Sequence, residues 1–102
     1  MIEIRETEAF GRWFDRIRDP RARAKVLVRI RRMSLGLPGD VRAVGGGVSE
    51  LRIHSGPGYR VYFMALGRRT SVLLIGGVKD SQERDIATAK QLALEVRQGR
   101  TR

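Results

Sequence analysis

The chain has 102 residues, 41% of them hydrophobic and 31% charged, and carries a net charge of +10 at neutral pH. This length fits one domain with a modest core and leaves no room for a second domain. The chain has no cysteine and one histidine, His54, so it lacks the ligands of the usual zinc, iron and disulfide sites, and we expect neither a metal nor another cofactor.

The positive charge is spread along the whole chain, and every basic residue except Lys25, Lys79 and Lys90 is an arginine. A guanidinium group grips phosphate with two hydrogen bonds and stacks on bases, so this charge favours a polyanionic partner such as nucleic acid. No segment approaches the roughly 18 consecutive apolar residues of a membrane span, and the N-terminus does not resemble a signal peptide. We therefore expect a cytoplasmic protein with no membrane partner.

The first third of the chain predicts one strand and two helices. Residues 2–5 alternate apolar and polar side chains, which is typical of a strand. Thr7 can cap a first helix, whose apolar residues recur with helical spacing at positions 10, 13, 14 and 17. Pro20 suits the first turn of a second helix, which ends at Gly36.

From residue 41 onwards the apolar period changes to two, which predicts strands. They cover residues 41–44, 48–53, 59–66 and 71–76. The sequence Ser-Gly-Pro-Gly at 55–58 predicts a hairpin turn between the second and third of them. Asp80 can then cap a last helix.

These elements predict an α+β domain over residues 1–98 in the order β-α-α-β-β-β-β-α. We expect a twisted, mostly antiparallel sheet with the helices packed on one face. Residues 99–102 are expected to form a frayed basic tail.

Because side chains alternate between the two faces of a strand, several cations should lie on one face of the predicted sheet. Arg52 and His54 share a strand face with Glu50, and Arg60 on the neighbouring strand points to the same side. Arg52 and Arg60 should lie within one or two pair spacings of each other, where two uncompensated guanidinium groups would bind an anion between them. Lys79, next to a helix N-terminus, adds a third cation.

An alternative interpretation is a solvated face on which the arginines pair with Glu50 and Asp80. Tyr59 and Tyr62 on the same hairpin are candidates for packing or for stacking on RNA bases. These alternatives stay open at the level of the sequence.

RNA cleavage without a metal needs groups that move protons and groups that stabilise charge on the phosphate. Arginine serves the second need and is a poor acid or base. His54, Lys79 and Glu50 are the candidates for proton transfer, and the sequence does not decide among them.

Three segments carry a family resemblance. They are Glu-Leu-Arg-Ile at 50–53, Gly-Pro-Gly-Tyr-Arg-Val-Tyr-Phe at 56–63 and Leu-Ile-Gly-Gly-Val-Lys-Asp-Ser-Gln at 74–82. Followed by Asp85-Ile86 and Ala89, they resemble the RelE/ParE superfamily of type II toxins, and within it the HigB-like addiction module killer protein branch. Val78 stands where this branch typically has an acidic residue.

The resemblance implies a RelE-like microbial RNase fold and an mRNA endoribonuclease, or mRNA interferase, that inhibits translation with or without the ribosome. It also implies a cognate antitoxin as partner, usually a helix-turn-helix protein. Arg52, Arg60 and Lys79 match by motif the basic residues that bind RNA and stabilise the transition state in related toxins.

Two other functions stay open beside the nuclease. ParE-like members of the superfamily poison DNA gyrase through a protein contact, without cleaving RNA. An inactive member would act as an antitoxin-binding module or co-repressor. The cations predicted on one sheet face favour the nuclease.

Overall fold

The computed structural model describes residues 1–100, which form a five-stranded sheet with three helices packed on it. The strands are β1 (Glu3–Glu6), β2 (Val41–Gly45), β3 (Val48–Ile53), β4 (Tyr59–Ala65) and β5 (Thr70–Val78). The helices are α1 (Glu8–Asp15), α2 (Pro20–Ser34) and α3 (Gln82–Arg97), and a 3₁₀ turn (Lys79–Ser81) leads into α3. The prediction of a mixed α+β fold is therefore confirmed.

The strands lie side by side in the order β1-β5-β4-β3-β2. β1 runs parallel to β5, and the other three pairs are antiparallel. The parallel pair joins the first strand of the chain to the last, while β2 to β5 follow one another through short turns. β4 therefore lies at the centre of the sheet, and β3 and β5 flank it.

The helices cover both faces of the sheet, so the prediction that they pack on one face is wrong. Val26 of α2 belongs to a core cluster with Leu73 on one face. Ala89 and Ala93 of α3 belong to a second cluster with Leu74 on the other face. Adjacent residues of β5 thus point into different cores, and a strand that is apolar on both sides must be covered on both sides.

Thr7 caps α1 as predicted and also ties the helix to the sheet. Its Oγ1 accepts a hydrogen bond from the Phe10 N–H at 3.0 Å and donates one to the Leu74 carbonyl at 2.6 Å. The predicted cap at Asp80 is wrong, because Asp80 lies inside the 3₁₀ turn and α3 begins two residues later, at Gln82.

Within residues 1–100, no helix combines the length and the apolar character that crossing a bilayer requires. The predicted domain bounds, 1–98, and the predicted tail at 99–102 stay predictions. Residues 101 and 102 of that tail lie outside the described residues.

Replacing Thr7 with valine should lower the free energy of unfolding by about 1 to 2 kcal/mol, because the helix loses its cap and the buried Leu74 carbonyl loses a donor. Urea denaturation followed by circular dichroism measures the change. Thr7→Ser keeps the hydroxyl and is the matched control, which should stay close to the wild type. Equal stability of the valine variant and the wild type would contradict the assigned role.

Candidate nucleic-acid interface

Arg52 of β3 and Arg60 of β4 lie directly opposite each other in the sheet. The Arg52 N–H donates to the Asp40 carbonyl at 3.0 Å, on the side of β3 that faces away from β4. Arg52 and Arg60 therefore form a non-hydrogen-bonded pair, the kind in which opposite Cα atoms stand closest, at about 4.5 Å. The predicted position of the two arginines is confirmed, whereas their role in binding RNA stays a prediction.

The two arginines line a cleft of about 700 Å³ between the β3–β4 turn and the 3₁₀ turn after β5. The cationic side chains along this cleft are Arg42, Arg52, Arg60 and Lys79, and His54 lies among them. The side chain of Lys79 is exposed and forms no ion pair with any carboxylate of residues 1–100. The structure thus brings together the cations that the sequence placed on one face.

Arg60 is nearly buried, with 7% of its side chain exposed. One terminal nitrogen donates to the carbonyls of Gly58 at 3.0 Å and Tyr59 at 3.4 Å, and Nε lies 3.9 Å from Glu50 Oε2. A guanidinium group removed from water needs such partners, because an uncompensated buried charge costs several kcal/mol. Arg60 is therefore a fixed cation with a carboxylate beside it.

Arg52 is also compensated, by a carboxylate that the sequence did not single out. Its terminal nitrogen donates to Asp40 Oδ1 at 3.0 Å, and His54 Nε2 lies 2.5 Å from Asp40 Oδ2. The hydrogen bonds from His54 and Arg52 lower the pKa of the Asp40 carboxyl below its ordinary value of 3.8. The prediction of two uncompensated guanidinium groups is therefore wrong, because Asp40 is hydrogen-bonded to Arg52 and the Glu50 carboxylate lies 3.9 Å from Arg60.

Glu50 is completely buried beneath the cleft and accepts hydrogen bonds from two elements. Its Oε2 accepts from the Tyr62 hydroxyl of β4 at 3.0 Å and from the Gln82 side-chain amide of α3 at 2.7 Å. The terminal nitrogen of Arg42 on β2 lies 3.6 Å from Oε1. One carboxylate thus connects three strands and a helix.

The two tyrosines that are candidates for base stacking lie in packing positions. Tyr62 is fully buried, and burial together with its hydrogen bond to Glu50 raises the pKa of its hydroxyl. The hydroxyl therefore stays protonated and acts as a donor to Glu50. Tyr59 is half-buried on the opposite sheet face, where its ring meets Trp13 edge-on at 6.5 Å. The structure brings neither ring into the cleft.

Residues 12–95 match the family described as Phage derived protein Gp49-like (DUF891). The chain belongs to this family. A protein of Haemophilus influenzae that bears the name "Uncharacterized protein" is 42% identical over 95 residues, which cover 93% of this chain and 96% of the relative. The Gp49-like family is a toxin-like addiction-module family related to RelE and HigB. Membership therefore indicates the toxin of a toxin–antitoxin module and implies a cognate antitoxin as its partner.

Two adjacent glycines bring the helices of this Gp49-like protein close to β5. A side chain at Gly76 would collide with the Trp13 ring of α1, and one at Gly77 would collide with the Asp85 carboxylate of α3. Helices can therefore approach β5 from opposite faces at this point, just before the chain reaches Lys79. The two glycines of the Gly-Gly-x-Lys sequence are therefore needed because larger side chains would push α1 and α3 away from β5. The close packing of these helices fixes the position of Lys79 at the end of the strand.

Three residues of the Gp49-like site were missed from the sequence, namely Asp40, Arg42 and Gln82. A signal existed for Arg42, because a β2–β3 hairpin pairs it with Glu50 on the same face. No strand pairing or alternating pattern points to the other two residues, since Asp40 precedes β2 and Gln82 begins α3. Within the described residues 1–100, no group of three or more His, Cys, Asp or Glu side chains could hold a metal ion.

The Asp40 carboxylate should make the stability of the Gp49-like protein depend on pH. Because its pKa is lower in the folded than in the unfolded chain, ionised Asp40 stabilises the fold above pH 3.8, and this stabilisation is lost as the pH falls through the lower, folded pKa. The wild type should therefore be more stable than Asp40→Asn near neutral pH and equal to it in strong acid. Urea titrations over a pH series test this.

Asp15→Asn is the matched control for the Asp40 experiment, because Asp15 is exposed and forms no ion pair within residues 1–100. A stability difference between Asp40→Asn and the wild type that stays constant from neutral pH to strong acid would contradict the assigned hydrogen bonds.

Proposed function

We propose that this Gp49-like toxin is an mRNA endoribonuclease of the HigB-like branch that inhibits translation. The observation that carries the proposal is the cleft in which Arg42, Arg52, Arg60 and Lys79 lie beside His54. Cations along a cleft bind a phosphate backbone, and an imidazole supplies the proton transfer that RNA cleavage requires.

Lys79 and Arg52 are the groups that bind the RNA backbone in this proposal. Lys79 is exposed and has no ion-pair partner among residues 1–100, so its charge is available to a phosphate. Arg52 is about one-third exposed and shares its charge with Asp40. Arg60 is held in place by two backbone carbonyls, so it meets the charge that develops on the phosphate without reorganising.

In the proposed reaction the ribose 2′-oxygen attacks the neighbouring phosphorus atom, and the bond from phosphorus to the 5′-oxygen breaks. The 2′-hydroxyl loses a proton, the leaving oxygen gains one, and a 2′,3′-cyclic phosphate results. His54 is the candidate for proton transfer, since it is exposed at the cleft and Asp40 holds its ring. Glu50 lies beneath the cleft with no exposed surface, so we assign it to holding Arg60 in place.

The proposed substrate is messenger RNA, either free or on the ribosome. The proposed partner is a helix-turn-helix antitoxin. The antitoxin itself follows from the family, and its helix-turn-helix nature belongs to the proposal.

Incubating the purified protein with messenger RNA, with and without translating ribosomes, tests the nuclease directly. RNA fragments ending in a cyclic phosphate are the expected product. Intact RNA in both reactions, together with inhibition of DNA gyrase supercoiling, would instead identify a gyrase poison. Intact RNA with normal supercoiling would identify an antitoxin-binding module, and either result would overturn the proposal.

Replacing Lys79 with glutamine should reduce RNA cleavage by about tenfold or more, because the cleft loses its one exposed lysine and about 1.4 kcal/mol corresponds to tenfold in rate. The variant should fold normally, since its side chain has no partner to lose within residues 1–100. Single-turnover cleavage of a labelled RNA is the measurement.

Arg68→Gln is the matched control for Lys79→Gln, since it removes one charge from an exposed position in the turn between β4 and β5. Cleavage at the wild-type rate is expected for this control. An equal loss in both variants would mean that only the net charge matters and that the cleft is not the site.

A further inference from the structure

A second pocket, of about 440 Å³, lies at the edge of the sheet where β5 continues beyond the end of β1. The pairing of β1 with β5 stops at Glu6 and Leu73, so residues 74–78 of β5 have a neighbouring strand on one side only. The pocket is walled by α1, by residues 75–78 of β5 and by the first turn of α3. We call it the edge pocket; it shares no lining residue with the cleft.

The backbone of Gly76 turns its hydrogen-bonding groups toward the edge pocket. Because Arg52 and Arg60 form a non-hydrogen-bonded pair, the backbone groups of Arg60 point to β5 and bond to Gly77, which lies opposite. The N–H and C=O of Gly76 therefore point away from β4, to the open edge. Within residues 1–100, no hydrogen bond from a turn, a loop or a side chain reaches them.

The neighbouring backbone groups on the same edge already have partners. The Leu74 carbonyl accepts a hydrogen bond from Thr7 Oγ1 at 2.6 Å, and the Val78 N–H donates to Ser81 Oγ at 3.4 Å. Gly76 thus presents one donor and one acceptor side by side between two occupied positions. Buried backbone groups are almost always paired in native proteins, so this pair fits a ligand with a complementary acceptor and donor.

Three arginines surround the edge pocket, namely Arg12, Arg16 and Arg84, and all three are exposed. Arg12 and Arg16 are four residues apart, a spacing at which like charges on a helix face repel each other. Arg16 forms no ion pair within residues 1–100, whereas Arg12 lies 3.6 Å from Glu8 and Arg84 lies 4.0 Å from Asp85. Asp85 is the one carboxylate among the described lining residues, so the pocket is positively charged.

We propose that the edge pocket binds a nucleoside monophosphate, either free or as one unit of an RNA strand. Arginines bind the phosphate through charge-assisted hydrogen bonds. The half-buried Trp13 ring contacts the base, and the Gly76 N–H and C=O pair with its edge, since a base such as adenine presents an acceptor and a donor side by side. The volume lies within the range of small-molecule sites. This inference does not depend on nuclease activity in the cleft.

The short length of the open edge favours a nucleotide over an extended peptide. A peptide that adds a strand to a sheet forms main-chain hydrogen bonds with several alternate residues of the edge strand. Here Thr7 occupies the position at Leu74 and Ser81 occupies the one at Val78. Gly76 is left between them, and one donor with one acceptor is what a base edge requires.

Trp13 is the single tryptophan of the chain, so its fluorescence reports directly on the edge pocket. Adenosine monophosphate should quench this fluorescence to saturation. Ribose 5-phosphate, which lacks the base, and adenosine, which lacks the phosphate, should each bind about tenfold or more weakly. Absence of quenching by adenosine monophosphate, or equal affinity for ribose 5-phosphate, would overturn the proposal. Quenching by an extended acidic peptide alone would overturn it in favour of strand addition.

Charge variants locate the bound nucleotide. Arg16→Gln should weaken binding of adenosine monophosphate by about tenfold or more, and it should fold normally because Arg16 has no ion-pair partner within residues 1–100. Arg18→Gln is the matched control, since Arg18 is exposed and lies outside the lining. An equal loss in both variants would reduce the binding to net charge. Loss of quenching in Lys79→Gln would place the nucleotide in the cleft, and either result would overturn the assigned pocket.

Competition with RNA distinguishes the two sources of the nucleotide. An RNA with 2′-O-methyl groups cannot be cleaved by its own 2′-oxygen, so it serves as a stable competitor for labelled adenosine monophosphate. Displacement by this RNA in the wild type, together with weaker RNA binding by Arg16→Gln, would show that the pocket holds one unit of an RNA strand. Simultaneous binding of both ligands would show that it holds a free nucleotide. Both results support the site.

The fluorescence titration also separates this inference from the nuclease proposal. If the wild type cleaves no RNA, quenching by adenosine monophosphate still supports the edge pocket. If the wild type cleaves RNA but adenosine monophosphate leaves the Trp13 fluorescence unchanged, the nuclease proposal survives and the edge pocket does not.

Discussion

The carboxylate of Glu50, which has no exposed surface, sits where β3, β4 and α3 meet. A carboxylate moved out of water costs several kcal/mol unless donors and opposite charges surround it. Tyr62 and Gln82 supply two hydrogen bonds, and Arg60 supplies a positive charge at 3.9 Å. Arg60 is almost as deeply buried, so its positive charge likewise needs a negative charge nearby, which Glu50 supplies. Each charge is stable in the interior because the other is there, and Arg60 is thereby held at the floor of the cleft.

The cations of the cleft differ in how firmly the fold holds them, and this difference suits the proposed chemistry. Arg60 is buried and fixed, Arg52 is paired with Asp40 at the rim, and Lys79 is exposed and unpaired among residues 1–100. An exposed cation suits the capture of a phosphate backbone. A fixed cation suits stabilisation of the transition state, because its orientation is already set by the folding of the chain.

Hydrophobic period predicted much of this fold, and it also placed Arg52 and Arg60 on one face. The spacing of apolar residues does not tell which faces of a sheet are covered by helices. The structure shows that β5 is buried on both faces, with α1 and α2 on one side and α3 on the other. The carboxylates that compensate the arginines escaped prediction for another reason. Asp40 lies in a segment without a regular spacing of apolar residues, so no pattern points to it. The burial of Glu50 depends on α3, which lies more than thirty residues further along the chain.

A double-mutant cycle between Glu50 and Arg60 tests the central claim most directly. Glu50→Gln, Arg60→Gln and the double variant are compared with the wild type by urea denaturation at neutral pH. The single changes should not be additive, and a coupling free energy of about 1 to 3 kcal/mol in favour of the native pair is expected. A coupling free energy near zero would mean that the two buried charges do not hold each other in place, and it would contradict the role assigned to Glu50 beneath the cleft.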